Sequence, residues 1–89
     1  MVEIISGNPY EDEGTLRTFY SSVKSDELVW HRDEQDRVVT VIEGQGWQFQ
    51  FNGSLPIELT EGKKFVIPKD MYHRVIKGKT KLVLDIEKI

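Results

Sequence analysis

The sequence predicts a small all-β protein, an antiparallel β-barrel or jelly roll. Three observations predict this fold class: the chain has only 89 residues, apolar and polar residues alternate in short runs, and turn residues separate these runs at short intervals. Alternation with a period of two is typical of a half-buried strand. Many short strands favour a sandwich or barrel, in which closure also protects the strand edges.

The first third of the chain is the least clearly patterned. Residues 1–5 predict an edge strand, whereas residues 8–14 are acidic and rich in turn residues, which predicts a loop. A short helix over residues 15–24 is an alternative, but aromatic and β-branched residues favour a strand over residues 17–23. We therefore expect a single domain. It consists of an N-terminal strand and loop extension over residues 1–24, followed by a barrel core over residues 25–89.

The remaining strands are marked by alternation and by the turns between them. Asn52 and Gly53 form a strong hairpin signal, because both residues tolerate positive φ. Pro68 ends a strand, because it cannot donate a ladder hydrogen bond. The predicted strands are residues 38–42, 47–51, 57–59, 65–67, 73–76 and 82–87.

Composition excludes several classes of function. The net charge is −3, so the chain lacks the dense basic surface of a general nucleic-acid binder. There are no cysteines, which rules out disulfides and thiolate zinc sites. No apolar run approaches the ~20 residues of a membrane span, and the N-terminus lacks the pattern of a signal peptide. We expect a cytoplasmic protein that binds neither nucleic acid nor membrane.

Two segments combine polar side chains with turn residues. Residues 30–44 read WHRDEQDRVVTVIEG, and residues 62–73 read GKKFVIPKDMYH. Together they resemble the two motifs of the cupin superfamily of small double-stranded β-helix barrels. The resemblance covers residues 25–86 and implies a jelly-roll barrel with a polar site inside it.

The first cupin motif is a His-x-His pair, then a Glu after three or four intervening residues, then a Gly after six intervening residues. In this sequence His31 takes the first position, Asp33 the second, Arg37 the Glu position and Gly44 the Gly position. The spacing is kept, but two of the three ligand types are replaced. On a strand, His31 and Asp33 share one face because they are two residues apart.

The second cupin motif is better preserved. Gly62, Pro68 and His73 have the family's spacing, while Asp70 stands where the pattern has an inner Gly. By resemblance, the site residues are therefore His31, Asp33, Arg37 and His73.

Cupins with an intact site hold a divalent transition metal with three imidazoles and one carboxylate. Here His31, Asp33 and His73 are the candidate metal ligands, and they match the two-His-one-carboxylate set of non-haem iron sites. Arg37 has no lone pair to offer, and its charge repels a metal. We therefore expect no cofactor, with a divalent transition metal as the alternative.

Arg37 suits a different chemistry. Its planar fork of donors fits a carboxylate or phosphate, and His31 and His73 can add hydrogen bonds. The alternative is an internal ion pair of Arg37 with Asp33 or Asp36. A bulge between Asp33 and Arg37 would instead turn Glu34 or Asp36 inward.

Three functions remain open. We expect a homodimer that binds a small polar or anionic molecule in a metal-free pocket. A metal-dependent enzyme of the isomerase or dioxygenase type is the first alternative. A structural protein that uses the barrel for assembly is the second, which an exposed apolar strip including Trp30 or Trp47 would favour. The sequence leaves catalysis undecided.

Overall fold

A computed structural model describes residues 9–89 of the protein, so the strand predicted at residues 1–5 lies outside the described residues. The described chain consists of eight strands and one short 3-10 helix, Ser25–Glu27. The strands are β1 (Glu11–Glu13), β2 (Leu16–Phe19), β3 (Arg37–Glu43), β4 (Gln48–Phe51), β5 (Ile57–Glu58), β6 (Lys64–Ile67), β7 (His73–Ile76) and β8 (Leu82–Lys88).

The strands form two antiparallel sheets. The larger sheet has five strands in the order β1-β2-β8-β3-β6, and the smaller has three in the order β5-β4-β7. Neighbours in both sheets are often distant in sequence, as where β8 lies between β2 and β3. The predicted all-β antiparallel fold class is confirmed, as a two-sheet sandwich.

Most strands lie where alternation places them, because each has one apolar face. On β3, Val39 and Val41 are buried, and on β8 Leu82 and Leu84 are buried. These inner faces pack against the smaller sheet, from which Phe49 contributes a side chain that is 2% exposed. The alternation along each strand thus defines which face forms the core.

The N-terminal region differs from the prediction in one respect. Residues 8–14 were expected to form a loop, but Glu11–Glu13 is a strand that pairs with β2. All three β1 residues are exposed. The sequence of β1 has no hydrophobic alternation, because this edge strand buries neither face and joins the sheet by pairing with β2. The strand favoured over residues 17–23 is shorter and begins earlier, at Leu16.

The two tryptophans have different environments. Trp47 is 1% exposed, and its indole Nε1 donates a hydrogen bond to the Thr80 carbonyl oxygen at 2.7 Å. Trp30 is 39% exposed, and the Arg74 guanidinium lies over it, with its carbon 4.7 Å from the centre of the Trp30 ring. Trp47 is therefore a core residue, whereas Trp30 lies at the surface. No helix within residues 9–89 has the length and apolar character needed to cross a membrane.

Candidate functional site

The space between the two sheets contains a cavity of about 270 Å³. This is slightly below the roughly 300–1,000 Å³ typical of small-molecule sites. One wall is apolar and comes from strands of both sheets. Its residues include Phe19, Val39, Phe49, Phe65, Leu84 and Ile86.

The four side chains that the resemblance singled out all line this cavity. Arg37 is the first residue of β3, and His73 is the first residue of β7. His31 forms an isolated antiparallel bridge with His73, which brings the two motifs together. Asp33 lies on the segment between His31 and β3. The structure thus brings the four residues together, and their role in ligand binding stays a prediction.

Two loop contacts determine which acid faces inward. The Asp70 N–H donates to the Asp33 carbonyl oxygen at 2.8 Å, and the Lys69 N–H donates to Asp36 Oδ1 at 2.7 Å. The Asp36 side chain is thus hydrogen-bonded to the neighbouring loop, and Asp36 is exposed. Asp33 is 9% exposed and turns into the cavity, whereas Glu34 is exposed. The alternative with Glu34 or Asp36 in the site does not occur in this arrangement.

Asp33 lies between two partners. Its Oδ1 is 3.5 Å from Arg37 Nη1, and its Oδ2 is 3.4 Å from His73 Nε2. Both distances exceed the 2.7–3.2 Å of a good N–H···O hydrogen bond. The carboxylate therefore balances the charge of Arg37 without filling its hydrogen-bonding capacity.

Arg37 retains unused donor capacity. Its side chain is 16% exposed, and its Nε is buried with no hydrogen-bond partner among residues 9–89. A buried donor without a partner costs about 1–3 kcal/mol. Arg37 also lines the cavity, so its guanidinium favours a ligand that can accept a hydrogen bond from it.

Each histidine directs one ring nitrogen to the backbone. His73 Nδ1 lies 2.8 Å from the Met71 carbonyl oxygen, and His31 Nδ1 lies 3.1 Å from the Val29 carbonyl oxygen. A carbonyl only accepts, so these contacts favour the tautomer with the proton on Nδ1 and leave Nε2 as an acceptor. Burial lowers the pKa of His73 below its ordinary value, against the opposing effect of the Met71 carbonyl. A neutral His73 thus presents an acceptor to the cavity.

The ring of His73 is held by two neighbours. Phe49 stacks against it with ring centres 5.2 Å apart, and His31 meets it edge to face at 4.3 Å. His31 is itself exposed, as is Val29 beside it. The cavity therefore opens to solvent on the side of His31.

Sequence reasoning missed two charged residues that also line the cavity, Glu27 of the 3-10 helix and Arg17 of β2. The Arg17 guanidinium makes two hydrogen bonds to Asp12, at 2.8 and 3.0 Å, and lies 3.7 Å from the ring centre of Tyr10. Burial opposes its charge, but the hydrogen bond to Asp12 and nearby charges raise the pKa of Arg17 overall. The sequence signal that could have identified Arg17 is its position two residues before Phe19, because residues i and i+2 of a strand share one face.

One nitrogen of His31, one nitrogen of His73 and one Asp33 oxygen lie within 4.8 Å of one another. The three donors fit a two-His-one-carboxylate metal site in residue type. The fourth position of the cupin pattern, Arg37, supplies a cation and not a ligand. The fit to a cupin metal centre is therefore partial.

No protein-family model matches the sequence, and no curated protein matches it. Several solved structures share its fold. A cupin-2 domain containing protein from Shewanella frigidimarina NCIMB 400 has 25% sequence identity and a TM-score of 0.54, over 89% of this chain and 76% of that one.

Two further structures cover more of the chain. Protein NMB1881 from Neisseria meningitidis has 21% identity and a TM-score of 0.57, over 90% of this chain and 79% of that one. KdgF from Halomonas sp. has 19% identity and a TM-score of 0.58, over 96% of this chain and 91% of that one. At such identities the likeness establishes architecture and not activity. The chain therefore has a cupin-like fold, as the resemblance of its two motifs implied.

Proposed function

We propose that this protein binds a small organic anion in the cavity between its sheets, with Arg37 as the anchor of the anionic group. The observation that carries the proposal is that Arg37 lines the cavity, while the Asp33 carboxylate beside it is 3.5 Å from Nη1, too far for a good hydrogen bond. An internal ion pair at this distance does not use the full hydrogen-bonding capacity of the guanidinium. A ligand carboxylate accepts hydrogen bonds from such a fork and so offsets its desolvation.

The test compares an anion with its neutral analogue. We use 3-phenylpropanoate and 3-phenylpropanamide, and follow binding by NMR chemical-shift titration, which detects weak complexes. Wild-type protein is expected to bind the acid at least tenfold more tightly than the amide. In Arg37→Gln this preference should be lost, and in Arg37→Lys it should be reduced, because an ammonium lacks the planar fork.

Arg32→Gln is the matched control. Arg32 is exposed next to His31 and lies over the Tyr72 ring, outside the cavity lining. This variant removes the same charge and should keep the preference for the acid. Equal binding of acid and amide by folded wild-type protein would overturn the proposal, as would an unchanged preference in Arg37→Gln.

A second candidate function is metal-dependent catalysis of the isomerase or dioxygenase type. The cluster of His31, Asp33 and His73 favours it, as do the hydrogen bonds from each His Nδ1 to a carbonyl. Second-shell bonds of this kind orient imidazole ligands in metal sites. A metal bound there would act as a Lewis acid. This function requires that the metal tolerate Arg37, which contacts the same carboxylate.

A further inference from the structure

We propose that the ligand is a free α-amino acid with an apolar side chain. This inference rests on the anion-binding function proposed above and specifies the chemical class of the ligand. Three features of the cavity carry it: a group of acceptors, a cationic donor beside that group, and an apolar wall.

The acceptors come from His31, Asp33 and His73. With each Nδ1 donating to a backbone carbonyl, the Nε2 atoms are left as acceptors, and His73 Nε2 faces Asp33 Oδ2 at 3.4 Å. Two facing acceptors are stabilised by a shared donor. An ammonium carries three donors, and hydrogen bonds of about 2.9 Å in tetrahedral directions reach acceptors about 4.7 Å apart. No two atoms of the cluster are farther apart than 4.8 Å, so the cluster does not exceed this span, and the His73 Nε2–Asp33 Oδ2 pair, at 3.4 Å, is closer than it.

The negatively charged group of the ligand binds to Arg37, directly beside this cluster. Arg37 Nη1 is 3.5 Å from Asp33 Oδ1, so a carboxylate on Arg37 and an ammonium on Asp33 are adjacent. An α-amino acid carries both groups on one carbon, and its zwitterion matches this pair of opposite charges without adding net charge to the cavity. A simple carboxylate satisfies Arg37 but leaves the acceptors of Asp33 and His73 facing each other.

The rest of the cavity specifies the side chain. Beyond the polar end, Phe49 and Phe65 of the two sheets and Leu84 of β8 line the space. Burial of apolar ligand surface here is favourable by roughly 25 cal/mol per Å². A cavity of about 270 Å³ limits the ligand to a small molecule. This combination of charged groups and apolar surface thus fits a single amino acid such as phenylalanine or leucine.

The test is a calorimetric titration of chelator-treated protein with four probes. L-Phenylalanine carries all three features; 3-phenylpropanoate lacks the amine, phenethylamine lacks the carboxylate, and L-serine lacks the apolar side chain. We expect phenylalanine to bind at least tenfold more tightly than each of the others. Asp33→Asn should reduce phenylalanine binding to the level of 3-phenylpropanoate, and Arg32→Gln should leave the ranking unchanged.

The failures are distinguishable. If 3-phenylpropanoate binds as tightly as phenylalanine and both depend on Arg37, the amino-acid inference is overturned and anion binding stands. If serine equals phenylalanine, the apolar requirement, and with it the inference, is overturned. If no carboxylate binds, or if Arg37→Gln changes nothing, both proposals fall. Because the ranking in wild-type protein decides, the test does not depend on the folding of Asp33→Asn.

Discussion

His31 and His73 are paired through both their backbones and their rings. The His31 N–H donates to the His73 carbonyl at 3.0 Å, the His73 N–H donates to the His31 carbonyl at 2.8 Å, and the ring centres are 4.3 Å apart. This bridge connects the segment before β3 to the first residue of β7. His31 and His73 are 42 positions apart in the sequence, and this bridge places their imidazole rings side by side.

Asp70 is the one non-glycine residue with positive φ, 64°, within residues 9–89. It occupies the position where the cupin pattern has Gly, and its N–H holds the Asp33 carbonyl. Asp and Asn tolerate this conformation, whereas a β-branched residue does not. We expect Asp70→Val to lower the free energy of unfolding by about 1–2 kcal/mol, and Asp70→Asn or Asp70→Gly to change it by less than about 0.5 kcal/mol.

Urea denaturation measures these differences. Lys69→Val is the control, since Lys69 is exposed and lies outside the positive-φ region. It should change stability by no more than about 0.5 kcal/mol. If Asp70→Val is as stable as Lys69→Val, the backbone at Asp70 does not constrain the choice of residue.

Acid is expected to destabilise the protein through His73. Burial lowers the pKa of His73 in the folded state below the ordinary value of 6.5. The unfolded chain then binds a proton more readily, so this contribution to stability is complete above pH 6.5 and is lost as pH falls through the folded-state pKa. Denaturation at pH 7.5, 6.0 and 5.0 should show a smaller loss for His73→Gln than for the wild type. Parallel losses in the two proteins would contradict this assignment.

Gly78 lies where a side chain has no room. A Cβ at this position would collide with the Gln45 carbonyl oxygen and with two atoms of Trp47, its backbone nitrogen and its ring Cδ1. Since Trp47 is 1% exposed and bonded to Thr80, it cannot move aside freely. We expect Gly78→Ala to reduce the free energy of unfolding by about 1–3 kcal/mol, the usual cost of overpacking.

Gly53 provides the comparison for this variant, because a Cβ there meets open space at φ +83°. Gly53→Ala introduces backbone strain alone and should cost about 1–2 kcal/mol. Thermal denaturation measures both losses of stability, and near-ultraviolet circular dichroism of the folded proteins should show a reduced tryptophan signal in Gly78→Ala only. A native tryptophan signal in that variant would show that the loop accommodates the methyl group.

The later strands could be predicted from sequence because their periodicity and turns agree. Between Arg37 and Lys88, each predicted strand corresponds to an observed one, with ends that differ by at most one residue. The edge strand Glu11–Glu13 could not be predicted in this way. It has no buried face, and only its pairing with β2 makes it a strand.

The candidate site was predictable in its residues but not in its surroundings. Motif spacing singled out His31, Asp33, Arg37 and His73, and all four line the cavity, although His31 and Asp33 lie outside the strands and share no strand face. The inward position of Asp33 depends instead on Lys69 bonding Asp36 from a distant loop. The cavity itself, and the presence of Arg17 in it, depend on how the two sheets pack.

The central claim is that this cavity holds an organic anion on Arg37 and not a metal on His31, Asp33 and His73. Elemental analysis of protein purified without chelator or nickel resin tests it most directly. The account predicts manganese, iron, zinc and nickel each far below one equivalent in protein that is folded and binds 3-phenylpropanoate. About one equivalent of one of these metals, lost in His31→Ala and in His73→Ala, would contradict it and favour the metal-dependent enzyme.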